Sequence, residues 1–333
     1  MSGTTGAGPR TSLYDHAVRL HERHPDGPLP RDGRPFPDEP RPRRRPRRTE
    51  QRRVGADVAA ALDRHFAGDD PPEALAEAVR DLDVPIHRND HIAAAALRAD
   101  RERVRRTGRW LVRHGEHQYA VAVGLALLAS DHDEDDIPLI RTIGLLSDTF
   151  GPLAAAALQR RRGGSDALVW LGDRVAGWGR VYVVEALCAV GGAGARDWLL
   201  RRSCDRDYLN GYFAGKVATA AHLHEAITTG SDDDLVDHTT DLLTVMAYCD
   251  GMGTTLEHYP PAHAVLEAHL GHFERLRPTA ARHRRGTRLV DNLAELRAIA
   301  GVTAEHRARL LDRYRAVLER DEWREVAATT GEG

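Results

Sequence analysis

From residue 56 onward, apolar positions recur at intervals of three and four, in runs of about 9 to 18 residues broken by Gly, Pro or Asp. That period is the signature of amphipathic helices. It predicts helices near 56–66, 71–82, 89–98, 101–113, 117–129, 136–146, 151–161 and 165–176. Further helices are predicted near 180–190, 195–203, 207–221, 232–249, 261–276, 287–300 and 303–319. Pro71, Pro72, Pro152 and Pro261 suit first-turn positions, where a missing N–H costs nothing. Ser231 precedes Asp232, Asp233 and Asp234 and suits a helix start, while Gly115, Gly191 and Gly301 suit helix ends. The stretches 120–129, 153–158 and 181–190 are apolar on nearly every face, so neighbours must cover them on several sides. Two layers of antiparallel helix pairs do this, and the pairs recur about every 30 to 35 residues. The expected fold is therefore all-α, an α-solenoid over residues 55–325, with a compact bundle as the alternative. Residues 180–186 could pass for a buried strand but run on into helical sequence.

The first 55 residues differ. They hold nine of the 17 prolines and carry a charge balance of +6, against −9 for the rest of the chain. Ser12 caps a short predicted helix at 12–23, with Leu13, Ala17 and Leu20 on one face, able to dock on the body or on a partner. Residues 24–54 read as an extended, largely disordered Pro/Arg-rich linker, so residues 1–54 form an arm and 326–333 a flexible tail. Within the arm, Arg43, Arg44, Arg45, Arg47 and Arg48 are candidate phosphate contacts, although no aromatic residue interleaves them for stacking on bases. Over the whole chain, 48 Ala, 36 Leu and 46 Arg against one Lys give a strong helical bias. No apolar stretch reaches the ~20 residues of a membrane span, and the N-terminus lacks a signal-like apolar segment. Three cysteines without a CxxC pair suggest buried thiols, so a cytoplasmic setting is expected.

Two stretches carry a resemblance. Residues 145–158, LLSDTFGPLAAAAL, look like the helix–turn–helix of HEAT and armadillo repeats. Residues 171–187, LGDRVAGWGRVYVVEAL, lead into RDWLLRRSC at 196–204 and YLNGYFAGKVATAAHLH at 208–224. Together these resemble uncharacterised bacterial HEAT-repeat-like proteins with a GWGR…WLL…Y.A pattern, over roughly residues 117–275. The resemblance implies architecture rather than chemistry. Within the motif, Gly177 and Gly179 flank Trp178 at an expected helix corner able to bury its ring, and Trp198, Leu199 and Tyr212 are expected to fill the core between repeats. Asp197 and Arg201, at i and i+4, are expected to pair. Arg180 and Glu185, five apart, are expected to pair with neighbouring repeats instead. The functional alternative makes Trp178, Arg180, Glu185, Asn210, Tyr212 and Lys216 a candidate ligand surface.

Catalytic motifs fail at named positions. His87 and His91 have zinc-helix spacing, but Arg88 stands where the general-base Glu belongs. His114 and His117 straddle a helix break, His222 and His224 point to different helix faces, and among His263, His269 and His272 only the last two share one. Deoxyhypusine hydroxylases are HEAT-like di-iron enzymes with repeated His-Glu pairs; here only His21-Glu22 and His224-Glu225 occur. The run 131–136 imitates a calcium loop, but Asp136 replaces its Gly and Thr142 its Glu, and it reads as a solvated turn. Neither a P-loop nor a GxSxG elbow is present. The sequence thus points to no catalytic set, no metal and no cofactor. The expected function is a non-catalytic scaffold or adaptor binding a protein or peptide, with an acidic body suited to basic partners. The alternative is nucleic-acid binding through the Arg-rich arm, or a HEAT-like DNA glycosylase with aromatics drawn from Trp110, Trp170, Trp178 and Trp198.

Overall fold

The computed structural model describes residues 11–37, 54–230 and 232–328. Among these residues the chain is all helical, and its one β-like feature is an isolated bridge between Ile299 and Val302. The helices are α1 (Leu13–Arg23), α2 (Ala56–Ala67), α3 (Pro72–Ala78), α4 (Asp90–Arg98), α5 (Arg101–His114) and α6 (Gln118–Leu128). They continue as α7 (Ile137–Ile143), α8 (Ser147–Gln159), α9 (Gly164–Gly172), α10 (Gly177–Val190), α11 (Ala193–Arg202) and α12 (Ala214–Ala220). The last six are α13 (Leu223–Thr229), α14 (Asp233–Tyr248), α15 (Ala262–Phe273), α16 (Ala280–Glu295), α17 (Ala304–Leu318) and α18 (Asp321–Ala328). None is long and apolar enough to cross a membrane. The chain divides into two compact units, Met1–Ala186 and Leu187–Gly333.

In the first unit, Ser12 caps α1 by accepting from the Asp15 amide at 3.1 Å, and α1 packs on α5 and α7 with Leu13 and Ala17 buried. The all-apolar helix α6 pairs with α5 so closely that a Cβ on Gly124 would stand 2.8 Å from Leu111 Cβ and 3.0 Å from the Gly108 carbonyl oxygen. Small residues at that crossing let the two backbones approach.

Two expectations about this unit need correction. The acidic run at 131–136 is not a solvated turn. Asp131 is 4% exposed and Asp136 is 2% exposed. Arg101 and Arg105 hold Asp131 at 2.8 and 2.5 Å, and Arg109 and Arg161 hold Asp136. Burial alone would raise the Asp131 carboxyl, but hydrogen bonds from Arg105 and Arg101 outweigh it and hold the group well below the usual carboxylate range. The second concerns residues 24–37 of the segment read as an extended linker. Leu29 and Phe36 are buried, a 3-10 turn spans Pro30–Gly33, and Phe36 stacks on Phe150 of α8 with centroids 6.1 Å apart. Asp32 then caps α8 from outside the helix. Its Oδ1 accepts from the Ser147 amide at 2.9 Å and from the Ser147 hydroxyl at 2.7 Å, and its Oδ2 accepts from the Asp148 amide at 2.8 Å. This remote cap explains why α8 begins at Ser147 and carries Pro152 inside it rather than in its first turn. Asp32→Gly tolerates the local φ of 53° while deleting all three bonds. It should cost about 1–2 kcal/mol in denaturant unfolding and open residues 24–37 to proteases; unchanged protection would contradict the cap. Residues 38–53, with Arg43, Arg44, Arg45, Arg47 and Arg48, lie outside the described residues.

In the second unit the side-chain pairings give helix direction. From α11 and the turn after it to α14, Arg201 meets Asp232 at 2.8 Å, Ser203 meets His238 at 3.0 Å and Arg206 meets Asp241 at 3.6 Å. From α14 to α16, Asp233 and Asp237 meet Arg282 at 2.7 and 2.9 Å, and Asp241 meets Arg285 at 3.4 Å. From α15 to α17, Glu267 meets His306 at 2.6 Å, His269 meets Tyr314 at 2.7 Å and Glu274 meets Arg313 at 2.8 Å. In the first two sets both residue numbers climb together, so α11, α14 and α16 run one way side by side; from α15 to α17 the ion pairs climb from Glu267–His306 to Glu274–Arg313, so α15 runs alongside α17. Asp232, whose side chain accepts from the Leu235 amide at 2.9 Å, is the cap of α14. Three further departures from the sequence reading lie in this unit. The single helix expected at 207–221 is a 3-10 turn (Tyr208–Tyr212) followed by α12, α13 was not anticipated, and α18 occupies part of the expected tail. Trp323 explains α18: its ring is fully buried, 4.9 Å from that of Phe273.

Candidate anion-binding cleft

α16 starts at Ala280 because Thr279 caps it, its hydroxyl accepting from the Arg282 amide at 3.2 Å. With that start, Ala281, Arg284, Arg285 and Arg288 fall at i, i+3, i+4 and i+7 and form one stripe. Asp241, Thr244, Val245 and Tyr248 form the matching stripe on α14. Between the stripes, closed at one end by Cys204 and Arg206, lies a cavity of about 110 Å³. That volume holds roughly four waters, enough for one carboxylate or phosphoryl group.

Four guanidiniums line this cleft against one carboxylate, Asp241. Burial pushes the Asp241 carboxyl above its usual value, against the pull of Arg285 and Arg206. Arg285 Nε is buried 3.4 Å from Asp241 Oδ1 and makes no hydrogen bond. Arg284 and Arg288 are exposed and form no ion pair among the described residues. Tyr248 stands at the rim, 37% exposed, with its hydroxyl pushed up chiefly by burial. A more open groove of about 740 Å³ in the same unit also contains arginines, but they are engaged: Arg196 with Glu225 and the Ala221 carbonyl, Arg201 with Asp197 and Asp232. In the smaller cleft Arg285 meets Asp237 and Asp241, each at 3.4 Å, and Arg206 meets Asp241 at 3.6 Å, which leaves Arg284 and Arg288 as its arginines without an ion pair among the described residues.

The loop presenting Arg206 is built by a residue singled out from the sequence. Buried Asn210 accepts from the amides of Asp205 and Arg206 at 3.0 and 3.2 Å and donates to Asp205 Oδ1 at 2.8 Å. His238 anchors the start of the loop, its Nε2 accepting from the Cys204 amide at 3.3 Å. Asn210 is thus a positioning residue for the cleft. Tyr212, half-buried, and Lys216, exposed on α12, do not line it. Trp198 and Leu199 are buried, and the expected Asp197–Arg201 pair forms.

The other candidates belong to the first unit. Trp178 does not bury its ring at a corner: it is 40% exposed and stacks on Tyr182 at 6.1 Å, because α10 starts at Gly177 (φ +57°) and turns the side chain outward. Arg180 donates to the carbonyls of Gly172 and Val175 at 2.9 and 3.3 Å, closing the end of α9. Glu185 is half-buried on the same helix as Arg180.

The helix predicted at 287–300 begins inside the stripe of cleft arginines and splits it. The signal was present in A-x-x-R-R-x-x-R at 281–288, once Thr279 is taken as the cap. The chain matches no protein-family model, no curated protein and no solved structure.

Proposed function

We propose that this chain is a non-catalytic binding protein of helical-repeat type, HEAT-like in the stacking of its helix pairs, whose second unit grips acidic side chains of a protein or peptide partner. The like-oriented helices α11, α14 and α16, with α15 alongside α17, support the repeat reading, since neighbouring repeats of a solenoid place equivalent helices in parallel. The observation that carries the binding reading is the pair Arg284 and Arg288. They stand one turn apart on α16 without ion-pair partners among the described residues, beside Arg206 and Arg285, with one carboxylate lining the cleft among four guanidiniums. One turn is a spacing that successive acidic side chains can match, and guanidinium forks take carboxylates two bonds at a time. The acidic balance of the body as a whole favours basic partners, but a ligand feels the local field, which is positive here.

The test is titration of the full chain with a fluorescent hexaglutamate peptide at about 0.1 M salt. The double substitution Arg284→Ala/Arg288→Ala should weaken binding at least tenfold, about 1.4 kcal/mol. Affinity should also fall as salt rises. Equal affinity in the parent and the double variant would remove the cleft from consideration. Duplex DNA that outcompetes the peptide, and whose binding survives the double substitution but falls on replacing Arg43, Arg44, Arg45, Arg47 and Arg48, would favour the nucleic-acid reading.

A further inference from the structure

The geometry points to a divalent transition-metal site, of zinc type by its donors, formed by His263 and Glu267 on α15 and His306 on α17. It is separate from the arginine cleft and shares none of its residues. One ligand atom from each of the three side chains falls within 4.8 Å of the other two. His263 and Glu267 are at i and i+4, so one helix face presents both. His306 sits in the first turn of α17, where Thr303 fixes the backbone by accepting from the His306 amide at 3.1 Å.

The competing explanation is a plain ion pair, because His306 Nε2 lies 2.6 Å from Glu267 Oε1. Two features go beyond it. The first is His263. An ion pair needs one imidazole, yet a second ring stands 4.5 Å from that of His306, at 83° to it, and makes no hydrogen bond among the described residues. The second is Arg313. It donates to Glu267 Oε2 at 3.1 Å and is itself fixed by Glu274 at 2.8 Å. It therefore occupies one carboxylate oxygen and leaves Oε1 to His306, as outer hydrogen-bond partners do for metal-ligating carboxylates.

Ligand atoms about 2.0–2.2 Å from a tetrahedral zinc lie ~3.3 Å apart. The separations present need to change by no more than ~1.5 Å to reach that. All three side chains are half-buried. Two imidazoles and a carboxylate are the donors zinc takes, and a fourth position would remain for water.

The test uses the full chain, stripped of metal with a chelator and titrated with Co²⁺ as the spectroscopic probe and then with Zn²⁺ in competition. The expected result is one equivalent of Co²⁺ with the visible absorption of a four- or five-coordinate ion, displaced by Zn²⁺. His263→Gln, Glu267→Gln and His306→Gln should each weaken Co²⁺ affinity at least tenfold. Zn²⁺ should raise the Tm of the parent and leave that of His263→Gln unchanged. Among the described residues His263 forms no hydrogen bond, so His263→Gln should melt like the metal-free parent, which separates ligand loss from misfolding. Co²⁺ affinity in His263→Gln equal to the parent's, or binding of less than a tenth of an equivalent at 0.1 mM Co²⁺, would overturn the site and leave an ion pair between Glu267 and His306.

Discussion

Arg161→Met should lower the unfolding free energy of the first unit by roughly 3–5 kcal/mol, the range for removing one partner of a buried charge network. The Arg161 side chain is 0% exposed. Its Nε donates to the Asp133 carbonyl at 2.8 Å, and Nη1 to the carbonyls of Ala157 and Asp131 at 2.6 and 3.3 Å. Its Nη2 donates to the Leu128 carbonyl at 3.0 Å and to Asp136 Oδ2 at 3.4 Å. One planar group thus satisfies acceptors at the end of α6, in the 131–136 loop and at the end of α8. Methionine fills much of the space but donates nothing, so these buried acceptors lose their partner together. Burial pulls the Arg161 guanidinium down from its usual value, with Asp136 and its neighbours pulling the other way. Arg161→Lys keeps the charge without the fork and should recover only part of the loss. Denaturant unfolding followed by hydrogen exchange in α6 and α8 reads the effect; a loss below ~1 kcal/mol would mean the network contributes no more than a surface pair.

The second large effect is a pH dependence in the second unit, set by His269. Its Nε2 lies 2.8 Å from Thr240 Oγ1 and its Nδ1 lies 2.7 Å from the Tyr314 hydroxyl, with all three side chains buried between α14, α15 and α17. Thr240 donates onward to the Val236 carbonyl at 3.0 Å, so the imidazole is assigned Nε2–H and accepts from Tyr314 at Nδ1. Burial, chiefly, pulls the His269 pKa from 6.5 down to about 3. The unfolded chain therefore binds a proton below pH 6.5 that the folded chain refuses until about pH 3. The stability linked to this group is intact above pH 6.5, falls as the pH drops, and levels off near pH 3. The slope approaches ~1.4 kcal/mol per pH unit, and the total is on the order of several kcal/mol. His269→Gln should cost about 1–3 kcal/mol at pH 7 through the disrupted hydrogen bonds, and should flatten the slope between pH 6 and 4. The Asp131 carboxylate adds a loss of the same sign in the first unit at lower pH. Its depressed pKa gives stability that is present above the ordinary carboxylate range and lost below it. Exchange in α15 and α17 against exchange in α5 and α6 separates the two. Parallel slopes for the parent and His269→Gln would contradict the role given to His269.

The helices were legible in the chain wherever apolar period and cap lie close together. Ala56–Ala67, Arg101–His114 and Ala304–Leu318 begin and end within a residue of the pattern that predicts them. What could not be read depends on residues far apart in sequence. Asp32 starts α8 from 115 residues away. Arg161 makes a buried network out of an acidic run whose spacing reads as solvated. Buried Trp323 anchors α18, which runs past residue 325 into the expected tail. The cleft was missed for a local reason, the late start given to α16, whereas the metal-type cluster was missed for a distant one. Spacing along the chain relates His263 to the histidines of its own helix, while His306 lies on another helix.

The binding account is tested most directly by hydrogen exchange of the full chain with and without hexaglutamate. Protection confined to the 204–212 turn, the last turns of α14 and the first half of α16, and lost in Arg284→Ala/Arg288→Ala, is the predicted result. Peptide binding that leaves those three segments exchanging as before would contradict it.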